Sequence, residues 1–279
     1  MTILETAPTD TAEEQKVLVR SVYQKIAEEY DERIPGVGPS DEGFTASEHE
    51  FVLSKVRAGQ KVLDMGCGTG RFTVPMAEAG AIVSGLDISR AMLDVTQGKL
   101  AEQGLVADLY EGDMAALPFE DDSFDVVTSM LALMHIPLSD RGRVFSEVAR
   151  VLRPGGRLVI CVKNSLFEQF FKGDRFASVD ITDVEGGQLL FTNTRGGEDL
   201  TAIWHSFSPH ELKALFAEAG LVMTHLRGNS PISAWLADEV LADNAVAGVV
   251  RSLERNLGDV PPFNYLGYHI LVEAVKIAG

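Results

Sequence analysis

The stretch Lys61–Phe72 reads KVLDMGCGTGRF: an apolar run broken by Asp64, then glycines at Gly66, Gly68 and Gly70. Glycine-rich turns after a strand let the backbone approach a ligand closely, and several quite different ligands exploit them. The dinucleotide pattern G-x-G-x-x-G would place its third glycine where this chain has Arg71. The phosphate loop G-x-x-x-x-G-K-[ST] does not occur. An acid just before the turn repels a pyrophosphate in a partly desolvated site, but it suits an ammonium group. Both features ask for a ligand without phosphates and with a cationic part.

Two further acids follow at strand ends. Asp87 closes the run AIVSGLD, where a carboxylate accepts from both hydroxyls of a ribose. Asp113, in EGDMAALPF, is placed to accept from an exocyclic amine, with Met114 beside it to pack on a purine face. Ribose, adenine and an amino-acid ammonium together describe S-adenosylmethionine.

The segments VLDMGCGTG, GLDIS, GDMAALPFEDDSFDVV and EVARVLRPGG closely resemble, in order and spacing, the motifs of class I S-adenosylmethionine-dependent methyltransferases. The likeness is to their small-molecule branch, which includes quinone-biosynthesis and antibiotic-tailoring enzymes. It is strong over residues 60–163 and weaker over FSPHELKALFAEAGL. It implies a seven-stranded sheet with its last strand antiparallel, supplied here by YHILVEAVKI. It also implies that Gly66, Gly68 and Gly70 admit the methionine part and that Asp64 faces its ammonium. Asp87 would hold the ribose, Ile88 and Met114 would sandwich the adenine, and Asp113 would accept its amine. Met130 would lie beside the sulfonium through its backbone, and Cys67 is a small loop residue rather than a nucleophile.

Methyl transfer from a sulfonium is an in-line displacement, so the site must align an acceptor lone pair, exclude water and present an unprotonated acceptor. His135, just after the fourth strand, is a candidate base, with a structural histidine as the competing reading. Trp204 and His205, at the end of an inserted hairpin, are candidates for the acceptor pocket, and His205 for a base. Tyr23 and Tyr30 lie on an N-terminal helix that in relatives closes over the cofactor; either ring could meet the sulfonium or the cofactor carboxylate. FEQFF, Trp235, Phe263, Tyr265 and Tyr268 are candidates for an apolar acceptor cavity, with plain core as the alternative. No sequence feature names a metal site. The chain lacks [DN]-P-P-[FYW], a Pro-Cys after the fourth strand and a paired-glutamate loop, which argues against nucleic-acid base and protein-arginine acceptors.

These groups need a scaffold to hold them at strand ends. From Gln60 the pattern alternates apolar runs (KVLDMG, AIVSGLD, ADLYEGD, FDVVTSM, RLVICVK) with helical segments, which predicts right-handed βαβ crossovers and a Rossmann-like doubly wound α/β fold. SRAMLDVTQGKLAEQG opens on Ser89 as N-cap, and SDRGRVFSEVARVL lines up Val144, Phe145, Val148 and Leu152. Before the core, EEQKVLVRSVYQKIAEEYDERI and TASEHEFVLSKVRAG read as helices separated by the loop PGVGPSDEG. After it, GGQLLFTNTRGGEDLTAIWHSF reads as a hairpin around Arg195–Gly197. SPHELKALFAEAG reads as a helix with Ser208 and Glu211 as a capping box, and AWLADEVLADNAVAGVVRSLERNLG as a last helical stretch. The expected plan is one domain: a helical lid over 1–59, a cofactor core over 60–163, and acceptor-side insertions with the last two strands over 164–279.

Bulk properties set the outer limits. The 279 residues carry 24 Lys and Arg against 41 Asp and Glu, a net charge of −17, with no basic cluster of the kind that displaces counterions from nucleic acid. Two cysteines make no disulfide framework, and neither a leader-like start nor a membrane-length apolar run is present. The expectation is a cytoplasmic monomer or homodimer acting on a small-molecule acceptor, away from nucleic acid and membranes, with S-adenosyl-L-methionine as cofactor. Three rivals stand beside it. One is a non-methylating reaction such as cyclisation on the same fold, one a nicotinamide-dependent oxidoreductase, and one a non-catalytic subunit.

Overall fold

A computed structural model of the protein describes residues 11–33, 39–170, 179–184, 188–195 and 198–277. The chain enters through α1 (Ala12–Ile26), a short 3-10 turn, α2 (Tyr30–Arg33) and α3 (Pro39–Lys55). The core then alternates β1 (Lys61–Met65), α4 (Thr73–Glu78), β2 (Ile82–Asp87), α5 (Arg90–Glu102), β3 (Asp108–Glu111), β4 (Phe124–Met130), α6 (Arg141–Val151) and β5 (Leu152–Lys163). Next come α7 (Ser165–Phe170), β6 (Val179–Val184), β7 (Gln188–Arg195), β8 (Glu198–His205), α8 (Pro209–Glu218), β9 (Leu221–Asn229), α9 (Asp238–Leu241), α10 (Asn244–Leu257) and β10 (His269–Lys276).

The main sheet has seven strands in the order β3-β2-β1-β4-β5-β10-β9. The first five run parallel, and β10 is antiparallel to both β5 and β9. The order reverses between β1 and β4, so the loops leaving their carboxyl ends diverge and open a crevice there. The expected seven-stranded, doubly wound sheet with an antiparallel last strand is therefore the observed one.

Helices cover both faces, each burying an apolar stripe against the central strands. Val144, Phe145, Val148 and Leu152 are all buried on one face, where the Phe145 ring stands edge-on to Phe216 of α8 at 5.2 Å. Phe51 and Val52 of α3, with Val56 just after it, join Phe72 and Met76 on the other.

Several local expectations change. Pro39–Gly43, read as loop, form the first turn of α3, where proline fits because its missing N–H has no partner to lose. The inserted hairpin gains a third strand, β6, paired antiparallel to β7; its tip at 196–197 lies outside the described residues, as do 171–176 of the FEQFFKGDRF segment. The last helical stretch divides into a 3-10 turn, α9 and α10, the last capped by Asp243. Ser89 precedes α5 without capping it; its hydroxyl instead donates to Gln24 of α1 at 3.2 Å. At α8, Ser208 accepts from the Glu211 amide, but the Glu211 carboxylate turns away to His205 and Arg141, so the box is half made.

Phe145 is fully buried, and truncation leaves a cavity between α6 and α8. Phe145→Ala is expected to lower unfolding free energy by about 3–5 kcal/mol in urea titration; a loss under about 1 kcal/mol would mean that this interface is not packed as described.

Candidate functional site

At the switch between β1 and β4 lies a cleft of about 770 Å³, its open mouth included. Its floor is the glycine turn after β1. Gly66 has φ +73° and a Cβ there would meet Ala132 Cβ at 2.3 Å and Met114 Cε at 2.6 Å, so only glycine lets these three segments close together. Gly68, at φ +54°, has nothing within 4 Å of its Cβ position and leaves backbone open to the cleft. Gly70 differs: its Cβ position lies 2.8 Å from Thr96 of α5, and it is not among the cleft-lining residues. Its glycine requirement is one of helix packing rather than ligand approach.

Two carboxylates support this turn. Asp87 is buried and accepts from Gly68 N through Oδ2 and from Ser89 N through Oδ1, both at 2.9 Å, while lining the cleft. Asp64 is 2 % exposed and lies beneath the turn, accepting from Thr73 Oγ1 at 2.6 Å and Thr128 Oγ1 at 2.9 Å. It does not line the cleft, so the expected direct contact with an ammonium becomes an influence from one layer below. Burial raises both carboxyl pKa values, that of Asp64 to about 6. Their hydrogen-bond partners among the described residues are neutral amides and hydroxyls, so this end of the cleft is electronegative.

The other expected cofactor residues largely converge. Ile88, Met114 and Met130 line the same cleft, as do Tyr23 and Tyr30 from the N-terminal helices. Asp113 also lines it, with Oδ1 accepting from Ala115 N at 2.8 Å and Oδ2 from Lys16 Nζ of α1 at 2.7 Å. Lys16 bridges on to Asp140, pinning α1 across the strand ends. Leu131 follows β4 at φ +57°, a conformation that costs energy outside glycine, and bonds Cys161 O of β5 at 2.8 Å while bordering the cleft. Nothing in the apolar sequence SMLALM signals that turn.

His135 lines the cleft and meets Tyr23 across it, Nε2 to Oη, at 2.6 Å. Burial, with Tyr30 and Asp87 nearby, holds the Tyr23 phenol well above its usual pKa, so the phenol donates and Nε2 accepts. His205 lies at the end of β8. Its Nε2 faces both Glu211 oxygens at 2.9 Å, and Nδ1 is buried with no hydrogen-bond partner among the described residues. This is a carboxylate-oriented imidazole with its lone pair at Nδ1. Trp204 is buried on the opposite side of β8, over the Lys163 ammonium. Tyr265 is not among the residues lining this cleft; it is 36 % exposed, and its backbone carbonyl accepts from Asn164.

Sequence reasoning overlooked a buried polar cluster at the ends of β5, β9 and β10. Glu48 of α3 accepts from Arg71 Nη2 at 2.6 Å, His269 Nδ1 at 2.9 Å and Asn229 Nδ2 at 3.2 Å. Arg71 and His269 hold the Glu48 pKa down against burial, and burial pushes His269 to about 4, leaving it neutral. Glu48, Cys161 and His269 have the atoms for a metal, but the Arg71 guanidinium already satisfies the carboxylate. The signal available was a histidine opening an otherwise apolar strand, His269 in YHILVEAVK.

Against known proteins, the methyltransferase domain family matches residues 63–160. The demethylmenaquinone methyltransferase of Bacillus velezensis is 35% identical over 215 residues, covering 75% of this chain and 91% of that one. Methyltransferase GfsG of Streptomyces halstedii is 41% identical over 125 residues, which is 43% of this chain; the match spans less than half, 44%, of GfsG. In structure, the CcbJ methyltransferase of Streptomyces caelestis aligns over 92% of this chain and 98% of its own, at TM-score 0.63 and 20% identity, a likeness of fold.

Two tests follow from the geometry. Gly66→Ala forces Met114 and Ala132 apart and is expected to weaken S-adenosylhomocysteine binding at least about tenfold by calorimetry; unchanged binding would place the ligand elsewhere. Ionised Asp64 favours a ligand ammonium, so affinity is expected to rise as pH climbs through about 6, and the Asp64→Asn variant to lose that dependence. A flat profile in the unmodified protein would remove Asp64 from the binding energetics.

Proposed function

We propose a small-metabolite acceptor for this chain, which belongs to the class I S-adenosylmethionine-dependent methyltransferases. S-adenosylmethionine is the cofactor of these enzymes, and the cleft suits it in chemistry. The observation that carries the assignment of the cleft is the pair of buried carboxylates, Asp64 and Asp87, set on neutral donors beside a glycine turn. Such a site favours a ligand with cationic ammonium and sulfonium groups and disfavours one with a pyrophosphate.

In the proposed arrangement Asp87 receives the ribose hydroxyls through the lone pairs its two amide bonds leave free. Ile88 and Met114 flank the adenine, and Tyr23 and Tyr30 cover the cofactor from α1 and α2. The bound cofactor supplies an electrophilic methyl group, and Met130 and Leu131 form the wall nearest it. The protein's own part is to bring the acceptor lone pair into line and exclude water, because reaction depends on alignment and on the acceptor's protonation state. His135 and His205 are the candidate proton acceptors. His205 has the better-prepared lone pair, at Nδ1, since Glu211 fixes its other nitrogen.

A net charge of −17 argues against a polyanionic acceptor, and the relative named for demethylmenaquinone supports a small one. We place the reaction in natural-product tailoring. Incubation with labelled S-adenosylmethionine and metabolite extracts, with mass spectrometric identification of the product, tests this. The expected outcome is one methylated metabolite together with S-adenosylhomocysteine; transfer to nucleic acid or protein instead would overturn it. His135→Ala and His205→Ala are expected to lower turnover at least about tenfold while leaving S-adenosylhomocysteine affinity within about threefold. Unchanged turnover in both would take the imidazoles out of the chemistry.

A further inference from the structure

At the carboxyl end of β5, Lys163 is buried yet charged. Its Nζ donates to the Tyr268 phenol oxygen at 2.6 Å and stands 4.9 Å from the centre of the Trp204 ring and 4.2 Å from that of Tyr268. Among the described residues its ion-pair partner is Glu168 of α7 at 3.9 Å, beyond hydrogen-bond distance. An ammonium has three donors, and among the described residues one is used in a hydrogen bond. Such a group is costly to bury unless something anionic completes it.

Its position bears on the reaction. Lys163 lies two residues beyond Cys161, whose carbonyl holds Leu131 on the wall of the cleft. Trp204 comes from β8, the strand that packs on α1 and on the turn containing His135, both of which border that cleft. Beyond the ammonium, Phe167, Trp235 and Tyr268 stack edge to face at 5.0 and 5.3 Å, a rigid apolar surface continuous with it. A cation set against aromatic rings, one strand over from the methyl-bearing end of the cleft, matches one acceptor class better than the others.

We propose that Lys163 receives the oxyanion of the acceptor, which is a planar compound with an acidic hydroxyl, a phenol or an enol. The inference rests on the methyltransferase reading of the cleft and adds the acceptor atom. The hydroxyl proton passes to solvent by way of the candidate imidazole, His135 or His205, as the acceptor binds, and the ammonium holds the resulting oxyanion. A lone pair of that oxygen then forms the O–CH3 bond while the S–CH3 bond breaks. The pair from the broken bond stays on sulfur, so the products are a neutral ether and S-adenosylhomocysteine. The same charge repels protonated amines, which disfavours amine acceptors.

The charges around Lys163 are consistent with this. Tyr268 and Glu168 hold the lysine pKa up against burial, so it stays an ammonium. Burial raises the Glu168 carboxyl pKa while Lys163 lowers it, and at 3.9 Å the pair forms an ion pair without a hydrogen bond. On the neighbouring elements the Arg71 cation is paired with the Glu48 anion, burial keeps His269 neutral, and burial keeps the Cys161 thiol protonated.

The test uses 4-nitrophenol and 4-nitro-1-naphthol, whose ionised forms absorb visibly, with the whole protein saturated in S-adenosylhomocysteine. The ionisation midpoint of the bound probe is expected to fall by about one pH unit, to lose that shift in Lys163→Met, and to regain most of it in Lys163→Arg. In the unmodified protein, affinity for either probe is expected to rise about tenfold as pH passes through its free midpoint, while 4-nitroaniline shows no such rise. This arm stands even where Lys163→Met does not fold. Unshifted midpoints in the unmodified protein, or equal shifts in Lys163→Met, would overturn the assignment. Failure of S-adenosylhomocysteine to bind at the outset would overturn the methyltransferase reading instead, so the two failures are distinguishable.

Discussion

Two buried carboxylates whose hydrogen-bond donors among the described residues are all neutral are the constraint around which the site is built. Asp64 and Asp87 end adjacent parallel strands, and their side chains are held by Thr73, Thr128 and the amides of Gly68 and Ser89. Desolvation disfavours their charged forms, as the raised pKa values record. A cationic ligand relieves that cost, and a polyphosphate would add to it. The glycine turn, the reversal of strand order and the covering helices arrange space around this electrostatic fact.

The cover is tied down by polar contacts in addition to the apolar packing of α1 on α5 and of α3 on the sheet. Lys16 joins α1 to Asp113 and Asp140, Arg20 donates to Ile88 O, and Tyr23 meets His135 across the cleft. From the other side, Glu48 of α3 anchors Arg71 at the end of the glycine turn and also His269 of β10. Cofactor loop, acceptor-side strands and N-terminal helices thus share one buried network. A charge-assisted contact of this kind is directional, so it fixes the position of each helix relative to the strand ends.

Much of this was legible in the sequence, for physical reasons that differ by residue. The alternation of apolar runs and helical stripes gives the order and type of the core elements, because buried parallel strands and amphipathic helices have distinct periods. Gly66 and Gly68 were readable as ligand-facing because little else in a chain demands glycine at that spacing. Gly70 looks the same in sequence, yet it answers to Thr96 on α5, a distant contact that no local rule contains. Glu211 fits a capping box locally and is drawn instead to His205 and Arg141, a case of tertiary contacts overriding a local motif. Lys163 and Glu48 were missed because a single charge at a strand end or on a helix face is ordinarily solvated. Only the packing of α3, α7 and β10 buries them.

The most direct test of the account is a calorimetric comparison of S-adenosylhomocysteine with NADH on the same preparation near neutral pH. Saturable binding of S-adenosylhomocysteine, one molecule per chain, with no detectable heat from NADH is the predicted result. Saturable binding of NADH with none of S-adenosylhomocysteine would contradict it.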